Sequence, residues 1–181
     1  SFRRTHKLQY AGRKIAWHLE GVPLLERTFV LDGTWTGFKT SSCVMKAAAQ
    51  DMTLETRLNK TDNTLDIPSL KLSVKDSKLE GSGQYDLATA AFHLNAGGVI
   101  NITDLKEWVP QKAIFEKPVD LNGFCHIQLD AAGPAKNWTS WKVNSNITSK
   151  AIHVKGFTLK DITLNYTQTA GQGRINFLNF T

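Results

Sequence analysis

Residues 79–96 read LEGSGQYDLATAAFHLNA, and the fold is decided by how this stretch is understood. Leu79, Gly81, Gly83 and Tyr85 share one parity, while Glu80, Ser82, Gln84 and Asp86 share the other. A period of two residues marks a strand with one dry face and one wet face. The alternation breaks at Asp86-Leu87-Ala88-Thr89 and resumes with Phe92, Leu94 and Ala96 opposite His93 and Asn95. Asp and Thr bond nearby backbone groups and favour a reversal, so the stretch reads as a β-hairpin. Its glycines mark either a bulge or close approach of another group to the sheet, or else they relieve crowding in a twisted sheet.

The same alternation continues upstream. Leu70, Leu72 and Val74 oppose Lys71, Ser73 and Lys75, with a turn expected at Asp76-Ser77-Lys78. Leu65 and Ile67 come before Pro68, which lacks an N–H and therefore points to an edge or a bulge. Met52, Leu54, Thr56 and Leu58 form another strand, followed by a polar turn over 59–63. In 41–50 (SSCVMKAAAQ) the alanines favour helix but both neighbours are strand-like, so the segment is read as strand or irregular. Phe29, Leu31, Gly33, Trp35 and Gly37 keep one parity, as do Ile15, Trp17 and Leu19 before Gly21-Val22-Pro23, where that strand is expected to end.

Downstream, Asp104 followed by Glu107 resembles a capping box. It predicts a short helix starting at Thr103-Asp104, with Leu105, Trp108 and Val109 on one face and Pro110 breaking its continuation. Lys117-Pro118 opens the clearest strand. Val119, Leu121, Gly123, Cys125, Ile127, Leu129 and Ala131 hold one face, and Asp120, Asn122, His126, Gln128 and Asp130 the other, with Phe124 the exception. About a dozen residues at ~3.3 Å each span roughly 40 Å, well beyond a usual strand. Past the break at Gly133-Pro134, alternation resumes through Trp141, Val143 and Ile147, then Ile152 and Val154, Phe157 and Leu159, Ile162, Leu164 and Tyr166, and finally Ile175, Phe177 and Phe180. The expected fold is mostly β: a long antiparallel meander curled into an open groove or partial barrel, with one short helix.

An internal echo bears on domain organisation. Asp51-Met52-Thr53-Leu54 matches Asp161-Ile162-Thr163-Leu164, and Leu65, Ile67 and Leu70 match Ile175, Phe177 and Phe180 at the same offset. The reading is one β-rich domain over 1–181, a fragment of a longer repetitive protein, with approximate units 1–70 and 111–181 around the 79–96 hairpin.

Composition fits a folded chain: of 181 residues, 41% are hydrophobic and 21% charged, which argues against wholesale disorder. The net charge of +6 is spread singly except at the start, where Arg3, Arg4, Lys7, Arg13 and Lys14 crowd together. Such a patch suits anionic lipid headgroups or nucleic acid, and the plainer reading is a solvated face. We expect a membrane surface, not nucleic acid, as its partner. Cys43 and Cys125 are read as two unlinked buried thiols, with one long-range disulfide as the alternative. No run reaches the ~18 apolar residues of a membrane-spanning helix.

Signatures of catalysis are missing from the sequence. It contains no G-x-S-x-G elbow, no phosphate loop and no H-E-x-x-H. Gly81-Ser82-Gly83 lies in strand register, and His6, His18, His93, His126 and His153 are scattered singly. Cys125 and His126, adjacent on a strand, point to opposite faces and cannot ligate side by side. We expect no enzyme activity, no cofactor and no metal. The triplets starting at Asn101, Asn137, Asn146, Asn165 and Asn179 fit the N-glycosylation pattern, although a sheet rich in Asn and Thr produces such triplets freely.

LEGSGQYDLATAAFHL, then INITDLKEW, then GFTLKDITLNYTQTAGQGRINFLNFT together resemble the C-terminal region of AsmA-like bacterial envelope proteins. The likeness covers roughly residues 50–181 and rests on loose, repeat-like motifs. That family is similar to the bridge-like lipid-transfer proteins, whose repeated β-units curl into a long groove with an apolar interior. The resemblance implies a periplasmic location, anchoring by an N-terminal inner-membrane helix in the full-length protein, and other segments of the same chain as neighbours. It also implies a phospholipid or other acyl lipid as partner, in lipid transport or outer-membrane assembly. Leu70, Leu72, Tyr85, Phe92, Leu94, Leu121, Ile127 and Leu129 would line such a groove; an ordinary filled core is the competing reading. The alternative function is a structural or adhesive β-domain binding carbohydrate through aromatics such as Trp138 and Trp141. A hydrolase on a β-scaffold ranks third.

Overall fold

The computed structural model describes residues 6–24, 27–37, 41–49, 51–105, 121–154 and 156–181. They form twelve strands: β1 (His6–Ala11), β2 (Lys14–Leu24), β3 (Arg27–Thr36), β4 (Ser41–Ala49), β5 (Met52–Lys60), β6 (Thr64–Val74), β7 (Ser77–Asp86), β8 (Ala91–Asn101), β9 (Leu121–Pro134), β10 (Lys142–Val154), β11 (Phe157–Thr169) and β12 (Gln172–Asn179). A one-turn helix, α1 (Ile102–Leu105), follows β8, and a 3₁₀ turn, Trp138–Ser140, precedes β10. All twelve strands make a single sheet in chain order, and each pairs antiparallel with its neighbours in sequence. The sheet is an open meander, because β1 and β12 are its two edges and do not pair.

The hairpin of β7 and β8 forms as its sequence dictates. The Asp86 carboxylate accepts the backbone N–H groups of Ala88 (2.9 Å) and Thr89 (2.8 Å), which folds the chain back. These bonds hold its carboxyl below the usual range, with the Thr89 N–H as the main cause. Pairing runs unbroken from Lys78 opposite Val99 to Asp86 opposite Ala91, so the glycines mark no bulge. They mark close approach: a Cβ at Gly81 would stand 2.6 Å from the Asn95 carbonyl oxygen, and one at Gly83 would stand 2.7 Å from that of His93.

Bulges occur elsewhere. Pro68 sits at a register shift between Ile67 and Leu70, in the middle of the sheet and not at an edge. Gly21-Val22-Pro23 does not end β2; the strand shifts register between Leu19 and Val22 and runs on to Leu24. A proline or a flexible glycine can be absorbed where one extra residue loops out of the ladder. Residues 41–49 are strand throughout, because β3 and β5 flank them and pair with their backbone groups on both sides. Pairing with two neighbours outweighs alanine's helical preference.

The predicted helix is present but capped differently. Asn101 caps it, accepting the Thr103 N–H on Oδ1 at 3.0 Å, so Asp104 lies inside the turn and does not precede it. The Asp104 carboxylate is instead buried and accepts the N–H (3.1 Å) and O–H (2.7 Å) of Ser77. Glu107, Trp108, Val109 and Pro110 lie outside the described residues. So do Val119 and Asp120 at the start of the long strand, which is described from Leu121.

All the described strands belong to one sheet, with no second sheet stacked on it among the described residues. Substantial contacts between described elements are confined to neighbouring strands, α1 against β8 and β9, and the 3₁₀ turn against β9. Phe29, Ala47, Met52 and Val74 form a small buried cluster on β3 to β6, flanked by Leu31, Ala49, Leu54 and Leu72. The chain leaves 12484 Å² accessible to solvent, against roughly 8,700 Å² for a compact monomer of this mass.

Candidate functional site

Directly paired residues in an antiparallel ladder point to the same face, so strand register reveals what each face carries. One row runs Leu19, Leu31, Ala47, Leu54, Leu72, Leu79, Gly98, Ile127, Ile147, Leu164 and Leu178, each residue paired with the next. It crosses eleven strands without a polar side chain. At about 4.8 Å per strand the row is roughly 50 Å long. A second row, two residues along, runs Leu8, Trp17, Gly33, Met45, Thr56, Leu70, Gly81, Ala96, Leu129, Ser145, Tyr166 and Ile175. Together they form an apolar band lying across the strands. Most of its side chains are half-buried, and the described strands supply no second sheet to cover them.

Seven of the eight residues expected to line a groove fall on this face. Leu72 and Ile127 belong to the first row, and Leu70 and Leu129 to the second. Leu94 pairs with Gly83 and Ala131, and Phe92 with Tyr85, continuing the face toward the 87–90 turn. Leu121 begins β9 with its backbone opposite Val154, and its side chain lies outside the described part. Leu19, Leu54, Ile147 and Leu164 share the row and escape the sequence-based expectation. Their parity is readable, but their alignment across strands depends on bulges that parity does not reveal.

Aromatic rings cover glycines on this face. The indole of Trp17 lies over Gly33, and the Trp141 ring closes on Gly133, where a Cβ would stand 2.8 Å away. The Tyr166 ring lies over Gly173, with a ring carbon 3.0 Å from where a Cβ would be. Each ring fills space a side chain would otherwise take, in the manner of aromatic rescue. Trp141 also meets Phe92 edge-on, with centroids 4.8 Å apart, and donates its indole N–H to the Pro134 carbonyl at 2.9 Å. Trp141 is thus engaged within the sheet, while the Trp138 side chain lies outside the described part.

The opposite face is polar and ordered by charge. Its central row runs Lys7, His18, Asp32, Lys46, Glu55, Lys71 and Glu80, with basic and acidic groups alternating from His18 onward. His18 meets Asp32 at 2.6 Å, Lys46 meets Glu55 at 2.7 Å, and Lys71 meets Glu80 at 3.5 Å. The Asp32 hydrogen bond, helped by Glu20, raises the His18 pKa above 6.5. The Lys46 ammonium holds the Glu55 carboxyl below its ordinary range.

The basic start of the chain does not form one described cluster. Lys7 lies on the polar face of β1, Arg13 in the β1–β2 turn and Lys14 at the head of β2, while Arg3 and Arg4 lie outside the described residues. Cys43 and Cys125 are free and buried on strands separated by four others, and burial pushes both thiols up. Cys125 faces inward and His126 outward. His93 bonds Asp130 at 2.8 Å and His153 bonds Thr158 at 2.8 Å. Among the described residues no three metal-ligating side chains converge, and no helix is long and apolar enough to cross a membrane.

Comparison with protein-family models, curated proteins and solved structures finds no match to this chain.

Proposed function

We propose that this chain is a non-catalytic segment of a bacterial envelope protein that shields lipid acyl chains along the apolar face of its sheet. On this reading it acts in the periplasm and supports lipid transport or outer-membrane assembly. One observation carries the proposal: the row from Leu19 to Leu178 crosses eleven strands without interruption by a polar side chain, and the described strands supply no second sheet to cover it. A filled core would cover such a row with a second layer. A lipid tail could do so instead, since each methylene withdrawn from water contributes about 0.8 kcal/mol, on the order of 12 kcal/mol for a sixteen-carbon chain. The headgroup would remain in water beyond the band. The resemblance of residues 50–181 to AsmA-like proteins supports the cellular setting.

The test is direct. Protein purified from a bacterial host without detergent is extracted and its lipid identified by mass spectrometry, and binding of a fluorescent sixteen-carbon fatty acid is then titrated. Wild type should carry phospholipid and bind the probe. Leu72→Asp combined with Ile127→Asp should abolish both while circular dichroism stays β-rich, and Lys71→Ser on the polar face should change neither. Wild-type protein that carries no lipid and ignores the probe overturns the reading.

A further inference from the structure

Strand β9 carries one side chain that its alternation does not explain. Phe124 falls on the polar face between Asn122 and His126, and it is 51% exposed. Among the described residues no aromatic ring packs against it. It stands in the wall of a hollow of about 550 Å³ where β8, α1, β9 and β10 meet.

The backbone builds this hollow. Strand β10 has one residue more than β9 between Thr148 and Ile152, and the resulting bulge sets Lys150 level with Phe124. The buried Ser149 hydroxyl pins the bulge, donating to the Phe124 carbonyl at 2.6 Å and standing 3.1 Å from that of Ala151. Opposite, Gly123 has φ of +138°, and a Cβ there would stand 2.6 Å from the Ala151 carbonyl oxygen. A side chain at that position would collide with the bulge.

The walls supply charge and hydrogen bonds. Lys150, His126 and His153 line the hollow, and its described lining holds no carboxylate. Elsewhere on this face Lys46 meets Glu55 and His93 meets Asp130. Here neither Lys150 nor the His126 ring has a partner among the described residues. Asp161, beside Lys150 in the β10–β11 ladder, does not line the hollow. The Thr103 hydroxyl and the Asn122 amide add neutral donors and acceptors. The two imidazoles stand at opposite ends: His153 pairs with Asn122, about 13 Å along β9 from His126.

These features select a ligand. An exposed aromatic ring suits the apolar C–H face of a sugar, and the amide and hydroxyl suit its hydroxyl groups. Lys150 beside the ring suits an anionic substituent. A bare anion would engage Lys150 and one imidazole and leave Phe124 in water. We propose that this hollow binds a phosphorylated sugar, its ring stacked on Phe124 and its phosphate on Lys150. A soluble sugar phosphate and the sugar-like headgroup of a phospholipid present the same chemistry. The hollow lies on the face opposite the apolar band, so it stands apart from what the band holds.

Calorimetric titration of the whole chain should show glucose 6-phosphate binding about tenfold or more tighter than glucose or inorganic phosphate. Lys150→Gln should weaken glucose 6-phosphate about tenfold and leave glucose unchanged. Phe124→Thr should weaken glucose 6-phosphate and leave inorganic phosphate unchanged, and Lys46→Gln, elsewhere on the face, should change nothing. Co-sedimentation with phosphatidylcholine vesicles, with and without phosphatidylinositol, separates the sources. Inositol-dependent binding displaced by glucose 6-phosphate supports the site and marks a lipid headgroup; binding of the soluble ester alone supports it and marks a soluble ligand. Failure of glucose 6-phosphate to bind overturns the proposal. So does inorganic phosphate that binds as tightly as the ester, with Phe124→Thr without effect on either. If Phe124→Thr loses its β signal in circular dichroism, Phe124→Leu makes the same comparison with less disturbance.

Discussion

At the scale of single residues, the sheet depends on a few positions that admit only one kind of side chain. A Cβ at Gly98 would run into the Lys78 carbonyl of the next strand, and the backbone there has φ of +156°. Gly98→Ala should therefore cost about 1–3 kcal/mol in urea unfolding, as overpacking against rigid backbone does. His18 makes a different prediction. Its pKa is raised above 6.5 by Asp32 and then Glu20, so the charged form is favoured in the folded state. Its stabilising effect is fully present below the unfolded pKa and is lost as pH rises through the higher folded one. An NMR titration of the His18 ring should show a midpoint above 6.5, and Asp32→Asn should bring it back down. Asp86 has the opposite sign: its carboxyl is held low, so its contribution to the hairpin is lost as pH falls through that depressed value.

At the scale of elements, α1 is tied to the sheet by one carboxylate. Asp104 is buried, at 5% exposure, and satisfies both the N–H and the O–H of Ser77, whose Oγ in turn accepts the Asn101 N–H at 2.9 Å. Asp104→Ala would strand two donors and should cost about 2 kcal/mol, whereas Asp104→Asn keeps an acceptor and should cost less. Chemical denaturation of both variants distinguishes them. Strand existence is legible in the sequence almost everywhere, because alternation at Leu70, Leu72 and Val74 or at Cys125, Ile127 and Leu129 has no helical reading. The cap is not. Asp104 has the right chemistry for an N-cap, and only the distant Ser77, brought near by the β6–β7 turn, diverts it. Gly21-Val22-Pro23 misleads for a related reason: the sequence shows breakers, while the ladder on both sides decides whether a breaker ends a strand or bulges it.

At the scale of the whole molecule, the sheet has twelve strands and no broad second layer among the described residues. A half-covered leucine in such a sheet should matter less to stability than one in a closed core. Leu54→Ala should cost about 1–2 kcal/mol, below the roughly 2–5 kcal/mol of a fully buried site. The native protein should also enhance the fluorescence of an apolar dye such as ANS before any unfolding, and an acyl lipid should displace the dye. The apolar face is legible in outline: Leu70, Leu72, Tyr85, Phe92, Leu94, Ile127 and Leu129 all lie on it with described side chains. Its continuity is not. That Leu31, Leu72, Ile147 and Leu164 form one line depends on register, and register shifts in the regions of Val22, Leu58, Pro68, Ser149 and Asn176 intervene between the parity of a strand and its place in the row.

The rings laid over glycines have an optical consequence. Trp17 and Trp141 stand on the dry side of the sheet, toward its two ends, and no second sheet of described strands covers them. They are native reporters of whatever occupies that side. A fatty acid brominated along its tail should quench them by contact, whereas iodide in the buffer should lose access to them once the tail is in place.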